Sequence, residues 1–371
     1  MTILRLNLTP LTRALCAVGI GLAMNSPALA TPTIQQTARV AKEPYEIVVN
    51  PVTDRLYVAA YGAGRGEQPQ GQGIVVIHPE TLEVDHTIAV PEAAFGLGIN
   101  TATQRLYSSN ALSGKITVFD LKTGSAIATI QDGDKKAHLR QVVVDEASNT
   151  IYVTTVGGFT RDPSATPPDS QVWVIDGATN TLAHIINAPV TMATGLALDA
   201  GAGRLYVTDM LDQQVAVIDT KSREVVQRFA SGGEKTKDGG DSTNVDVDPS
   251  GGRLFVTHQM SGTLTVLESA SGKLLKTIPT GKGALAVRYI APAQQIYVTN
   301  RNAQTTTVID SESYEVLAQL ETGSFPQSLA YDAKRGLVYV TNKPKSLPRN
   351  APADAHPIDD PRGDSVSIIK P

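Results

Sequence analysis

Seven copies of one phrase run through this chain, and they restrict its architecture more than any other feature. The clearest copy is "GLALDAGAGRLYVTD", Gly195 to Asp209, an apolar run, a small-residue turn and a second apolar run with a polar end. The second run recurs around Tyr57 ("LYVAA"), Tyr107 ("LYSSN"), Tyr152 ("IYVTT"), Tyr206, Phe255 ("LFVTH"), Tyr297 ("IYVTN") and Tyr339 ("VYVTN"). Seven residues before each aromatic stands Asn50, Asn100, Asp145, Asp199, Asp248, Ile290 or Asp332, so six of the seven copies hold Asn or Asp at one offset. Each copy reads as a strand, an Asx turn and a second strand. A third strand ending in an acid follows ("TVFD", "VWVID", "VAVID", "LTVLE", "TTVID"), and then a short turn and a fourth strand such as "AIATI".

A four-stranded antiparallel meander of roughly 42 residues lies in the range of propeller blades. Alone it cannot bury both faces, whereas seven meanders stacked radially close into a ring. The last copy supplies only "QSLAYD", "LVYVTN" and "SVSIIK", and the N-terminal "TIQQTARVA", Thr33 to Ala41, has no hairpin partner of its own. The expected fold is therefore all-β: a seven-bladed β-propeller over residues 31–371, closed by pairing the N-terminal strand with the last blade, because an open sheet edge is a liability.

Residues 1–30 read as a signal peptide. Arg5 and Arg13 form a basic start, "ALCAVGIGLAM" (Ala14 to Met24) is too short to span a bilayer, and Ala28-Leu29-Ala30 is an A-x-A cleavage site. Cleavage after Ala30 and export to the periplasm are expected. Cys16, the only cysteine, leaves with this segment, so the mature chain has no thiol for a disulfide, a haem attachment or a nucleophile. The segment holds two arginines and no acid, so its removal takes the formal net charge from −4 to −6. No later apolar stretch is long enough for a transmembrane helix.

The recurring aromatics and turn acids are expected to be structural, packing between blades and closing Asx turns. Function is expected where the copies differ. The long insertions fall between second and third strands (Tyr61 to Gln72, Val156 to Ser170, Asn342 to Asp364) or between blades (Gln131 to His138, Ser231 to Asp241), all of which map to one face. The channel mouth on that face should be lined by residues ahead of the inner strands, Phe95, Arg140, Met192, Asn244, Lys282 and Phe325. Residues at the ends of the second strands, Asn110, Asp209, His258, Asn300 and Arg301, should join them. Such a rim can stack a planar ligand and neutralise an anion.

Other chemistry finds little support. "GGEKTKDGG" lacks P-loop spacing and precedes a strand, and no H-E-x-x-H or Gly-x-Ser-x-Gly motif is present. The histidines are scattered; His138, His258 and His356 fall on the loop-rich face, and His258 near Met260 is the one soft-metal candidate, without close ligand spacing. Trp173 reads as blade core. Asp209 and Asp241 are candidate acids by location alone. The loop-rich cations, among them Arg65, Lys135, Arg161, Lys235, Lys237 and Arg349, are interleaved with acids, which disfavours duplex binding and leaves a stacked single strand. No catalytic residue, metal site or cofactor is assigned.

"IYVTN" at Ile296 to Asn300 and "VYVTN" at Val338 to Asn342 are the signature of the YVTN-repeat β-propeller family, and the chain resembles that family over essentially all of its mature length. The resemblance implies a periplasmic propeller without an established reaction, for which single-stranded DNA binding and iron-regulated expression have been put forward. The shared motifs are structural, so they carry no catalytic residue over. The sequence thus reads as a monomeric, non-enzymatic binding or interaction protein whose partner is a small ligand, a single-stranded nucleic acid or a protein. A lactonase-like hydrolase, or a scaffold docking through the Pro-rich segment at 342–364, is the alternative.

Overall fold

The β-branched runs of the repeat form 28 strands among the residues that the computed structural model describes, 31–62, 70–111, 113–133, 136–158, 164, 166–234, 240–346 and 358–371. The signal-peptide reading lies outside the described residues. The strands pair in chain order into seven four-stranded antiparallel sheets. The last sheet is built from both ends of the chain, with Thr33–Arg39 outermost beside Ser365–Lys370, then Leu337–Asn342 and Pro326–Asp332. The seven-bladed ring and its terminal closure are as expected from the repeat.

The inner strands are Pro44–Asn50, Leu97–Asn100, His138–Asp145, Ala193–Asp199, Ser242–Asp248, Ala284–Ile290 and Pro326–Asp332. Each meets the next, and the last returns to the first. Apolar side chains fill one cluster at every blade interface, and each cluster holds one anchor aromatic: Tyr57, Tyr107, Tyr152, Tyr206, Phe255, Tyr297 or Tyr339. The Tyr339 hydroxyl crosses from the last blade to the first, donating to the Pro79 carbonyl at 3.0 Å. Burial pushes the Tyr107 phenol up to about 12.

The turn acids behave as local chemistry dictates. Asn50 Oδ1 accepts the N–H groups of Val52 and Thr53, and Asp145 and Asp332 repeat the pattern in their own blades. Ile290 has no acceptor to offer. There the chain makes a 3-10 turn instead, Ala291–Ala293, ending on Gln294 in the left-handed region.

A second repeated interaction joins the blades. Six inner strands carry a register shift near their start, as between Leu139 and Val142 or between Ser242 and Val245, and such a bulge leaves backbone groups without ladder partners. Two residues after the anchor aromatic stands Ser109, Thr154, Thr208, Thr257, Thr299 or Thr341. Each hydroxyl accepts an N–H from the inner strand of its own blade (Gly96, Gln141, Gly195, Asn244, Ala286 and Ser328, 2.8–3.1 Å). The same hydroxyl donates to a carbonyl on the next blade (Arg140, Thr194, Thr243, Leu285, Gln327 and Tyr45, 2.6–3.5 Å). The Thr341 bond to Tyr45 spans the join between last and first blades.

Thr257→Val keeps the shape of the side chain and strands the Asn244 N–H, while the Leu285 carbonyl keeps the Asn244 side-chain amide; Thr341→Val strands both the Ser328 N–H and the Tyr45 carbonyl. Each unpaired buried group costs about 1–3 kcal/mol, so urea unfolding should show a loss in that range for Thr257→Val and a larger one for Thr341→Val. Unchanged midpoints in both variants would reject the hydroxyl latch as a source of stability.

Candidate ligand-binding mouth

Inner-strand residues five positions before the turn acid form one level of the channel wall. Tyr45, Phe95, Arg140, Thr243, Leu285 and Gln327 share this offset. Together with Tyr61, Ala111, His138, Met210, Gln259 and Arg301 they line a cavity of about 340 Å³ on the loop-rich face. Aromatic surface is concentrated on one side. The Tyr45 and Phe95 rings lie 4.3 Å apart, and Tyr61 meets Tyr45 edge-on at 5.7 Å.

Cations sit on these rings. The Arg140 guanidinium lies 5.6 Å from the Phe95 ring centre and that of Arg301 4.9 Å from Phe325, both within cation–π range. Lys343 is 3.9 Å from the Tyr45 ring centre, donates to the Tyr45 hydroxyl at 2.6 Å and pairs with Glu43 at 3.0 Å, so its charge is matched. Among the described residues neither Arg140 nor Arg301 makes a side-chain hydrogen bond or ion pair. Burial, reinforced by the nearby Arg301 charge, draws the Arg140 guanidinium below the ordinary arginine value. An arginine stays charged under such a shift.

The structure brings only part of the expected rim together. Phe95, Arg140 and Arg301 line the cavity, and Phe325 backs Arg301 from a residue with φ of 35°. Asn110, Asp209, His258 and Asn300 point into the blades, because successive strand residues face opposite sides. Asn110, His258 and Asn300 bond to Thr117, Thr265 and Thr307 at 2.8–3.0 Å. Asp209 accepts the N–H groups of Thr191, Met192, Leu211 and Asp212. Met192 and Lys282 stand on the loops before their strands and do not line the cavity, and Asn244 lies one residue deeper, its amide bonded to the Leu285 carbonyl at 2.9 Å. Arg65, Lys135, Arg161, Lys235, Lys237, Arg349 and His356 lie outside the described residues.

Both ring nitrogens of the fully buried His258 are engaged, Nδ1 with Asp241 at 3.1 Å and Nε2 with Thr265 at 3.0 Å, while Met260 is exposed. This pair ties Asp241 to its blade and leaves neither ring nitrogen of His258 for a metal shared with Met260. Burial opposes the Asp241 charge, but His258 and the Ser261 N–H outweigh it and hold the carboxyl below the usual range.

Beneath the mouth lies a second cavity of about 570 Å³, and its wall is amphipathic. Glu46, Asp145, Glu146, Asn244, Asp246 and Arg288 are among its polar residues, whereas Leu97, Ile99, Val143 and Leu198 are apolar. Glu46 accepts the Ser328 hydroxyl and the Ile47 N–H. Asp246 accepts the Tyr289 N–H at 2.8 Å and lies 4.0 Å from Arg288. Burial raises both carboxyls above their ordinary values against the pull of Arg288.

No protein-family model matches the chain. It is similar to the uncharacterized protein YncE of Salmonella typhi, 33% identical over 196 residues that make up 51% of this chain and 52% of that protein. YncE of Escherichia coli K12 is 30% identical over the same length. The chain thus spans about half the length of the curated relatives it matches. Among solved structures, a chain of the Kuenenia stuttgartiensis hydrazine synthase superposes with a TM-score of 0.65 over 84% of this chain and 96% of that one. At 17% identity that likeness concerns the fold alone.

The pH signs differ between the two kinds of carboxyl. The depressed Asp241 contributes stability above the ordinary aspartate range and loses it as pH falls through the folded value. Asp241→Asn should therefore cost about 1.5–3 kcal/mol near neutrality, with the deficit shrinking below about pH 4. For the raised Glu46 and Asp246 the contribution is full below the ordinary range and is lost as pH rises through the folded value. Glu46→Gln should raise the neutral-pH melting temperature and converge with the parent protein in acid; a lower melting temperature at neutral pH would contradict this.

Proposed function

We propose that this YncE-like seven-bladed β-propeller is an exported, non-enzymatic binding protein that holds an anionic ligand with a planar group in its loop-rich mouth. One observation carries the reading. Arg140 and Arg301 face one cavity, each within cation–π range of a phenylalanine, and no described acid neutralises either. Like charges in one cavity repel, and an anion between them converts the repulsion into attraction. A cation–π contact uses none of the guanidinium N–H groups in a hydrogen bond, which leaves them for a phosphate or carboxylate. Tyr45, Tyr61 and Phe95 supply the surface for a ring, and about 340 Å³ is at the lower end of small-ligand pockets. A terminal nucleotide of single-stranded DNA has this chemistry, with its base on the aromatics and its phosphate on the arginines. The protein is proposed to act as a monomer in the periplasm.

Labelled oligothymidylate and thymidine monophosphate, titrated against the mature chain at two salt concentrations, test the proposal. Arg140→Ala and Arg301→Ala should each weaken binding about tenfold or more, and Phe95→Ala should weaken it by about 1–3 kcal/mol. Binding that is absent for both probes, or that ignores both arginines, would remove this function.

A further inference from the structure

We infer that the mouth and the channel beneath it form one axial site for a linear zwitterion, with its planar anionic end at Arg140 and Arg301 and an ammonium group on Glu46 and Asp246. The inference rests on the mouth reading and names the ligand class of that site.

The two cavities share Gln327 in their walls. Their other residues follow one another along the same strands: Tyr45 then Glu46, and Thr243, Asn244, then Asp246 after one more residue. At roughly 3.3 Å per strand residue, Asp246 lies about 10 Å below the level of Tyr45 and Arg140. The sign of charge reverses over that distance. Two arginines without acid partners among the described residues stand above; below, Glu46 and Asp246 stand with Arg288, and Asp145 and Glu146 lie in the wall of the same cavity, so the chamber is net negative.

The repeat shows these charges to be departures from the blade pattern. At the offset of Asp246, five other blades carry Val48, Gly98, Val143, Ala197 and Ala330, and the sixth carries its neighbour Arg288. At the offset of Glu46, two blades have glycine and one has alanine. Asp246 accepts the Val247 and Tyr289 N–H groups, one on each oxygen, whereas Glu46 is matched on one oxygen only. Glu46 Oε1 takes the Ser328 hydroxyl and the Ile47 N–H, whereas Oε2 makes no hydrogen bond among the described residues. Arg288 comes within 4.0 Å of Asp246 and forms no ion pair with Glu46. Burial penalises both charges, and a buried charge is stabilised by a partner of opposite sign. A cationic group entering this chamber meets the unpartnered Glu46 Oε2 in a net negative wall, and a methylene chain leading to it can lie on Leu97, Ile99 and Val143. The same acids repel phosphate, so a nucleic-acid strand can place its end at the mouth but not thread the channel.

The test uses isothermal titration of the full mature chain with N-acetyl-lysyl-phenylalanine and N-acetyl-norleucyl-phenylalanine, which differ in the side-chain ammonium. The lysyl peptide should bind at least tenfold more tightly. Glu46→Gln and Asp246→Asn should bring that ratio towards one with the norleucyl affinity unchanged, and Arg140→Ala should weaken both peptides together. Equal affinities in the parent protein, a ratio that survives both carboxylate changes, or no binding of either peptide overturns the inference. Arg140-dependent nucleotide binding alongside equal peptide affinities would remove the zwitterion and leave the mouth reading; indifference of all probes to Arg140 would remove both. Thermal unfolding of each variant separates a lost site from a lost fold.

Discussion

A hydroxyl shared between two blades sets the geometry on which this molecule depends. The bulge at the head of six of the seven inner strands leaves backbone groups off the ladder, and burying an amide or a carbonyl unpaired costs about 1–3 kcal/mol. One Ser or Thr serves the amide of its own blade and the carbonyl of the next, so pairing and blade spacing are fixed together. The accepting carbonyls belong to residues such as Tyr45, Arg140, Thr243, Leu285 and Gln327, whose side chains line the mouth. The bond that sets the ring therefore also sets the site. Blade one has Ala59 at this position, so Phe95 lacks the latch and that interface relies on the packing of Tyr57, Leu97, Leu106 and Phe119.

The blades were legible in sequence because their determinants are local. An Asx acceptor closes the next two or three N–H groups, a β-branched run makes a strand, and an aromatic two residues before the hydroxyl fills the interface. Blade six shows the rule by its exception, since Ile290 cannot accept and the turn changes type. Joining the chain ends was legible for the same reason, because a three-stranded blade lacks an edge that only Thr33–Arg39 can supply.

The site was less legible, and the loss has a physical origin. Counting to the last residue of each second strand selected Asn110, Asp209, His258 and Asn300, but side-chain parity sends these inward, and the next residues, Tyr61, Ala111, Met210, Gln259 and Arg301, face the mouth. On the inner strands, the bulge and the variable loops ahead of them displaced Met192, Asn244 and Lys282. Counting back five residues from the turn acid would have found Tyr45 beside Phe95 and Arg140. Glu46 and Asp246 carry no local signature, since their meaning comes from the channel that seven distant segments enclose.

The electrostatics follow from where pairing is complete and where it stops. On the flanks of the mouth, Asp364 accepts Lys42 and the Glu43 N–H, and Glu43 in turn holds Lys343. Those charges cancel within a few ångströms and are screened by salt beyond about 10 Å. Arg140 and Arg301 face apolar rings with no described carboxylate, inside walls of low polarisability that focus their field along the axis. The channel acids terminate that field, so the sign of charge reverses across a few residues of the same strands. A protein whose mature chain is expected to be anionic overall can thereby present an attractive mouth to an anion, and the discrimination lies in the axial arrangement of a few side chains, not in net charge.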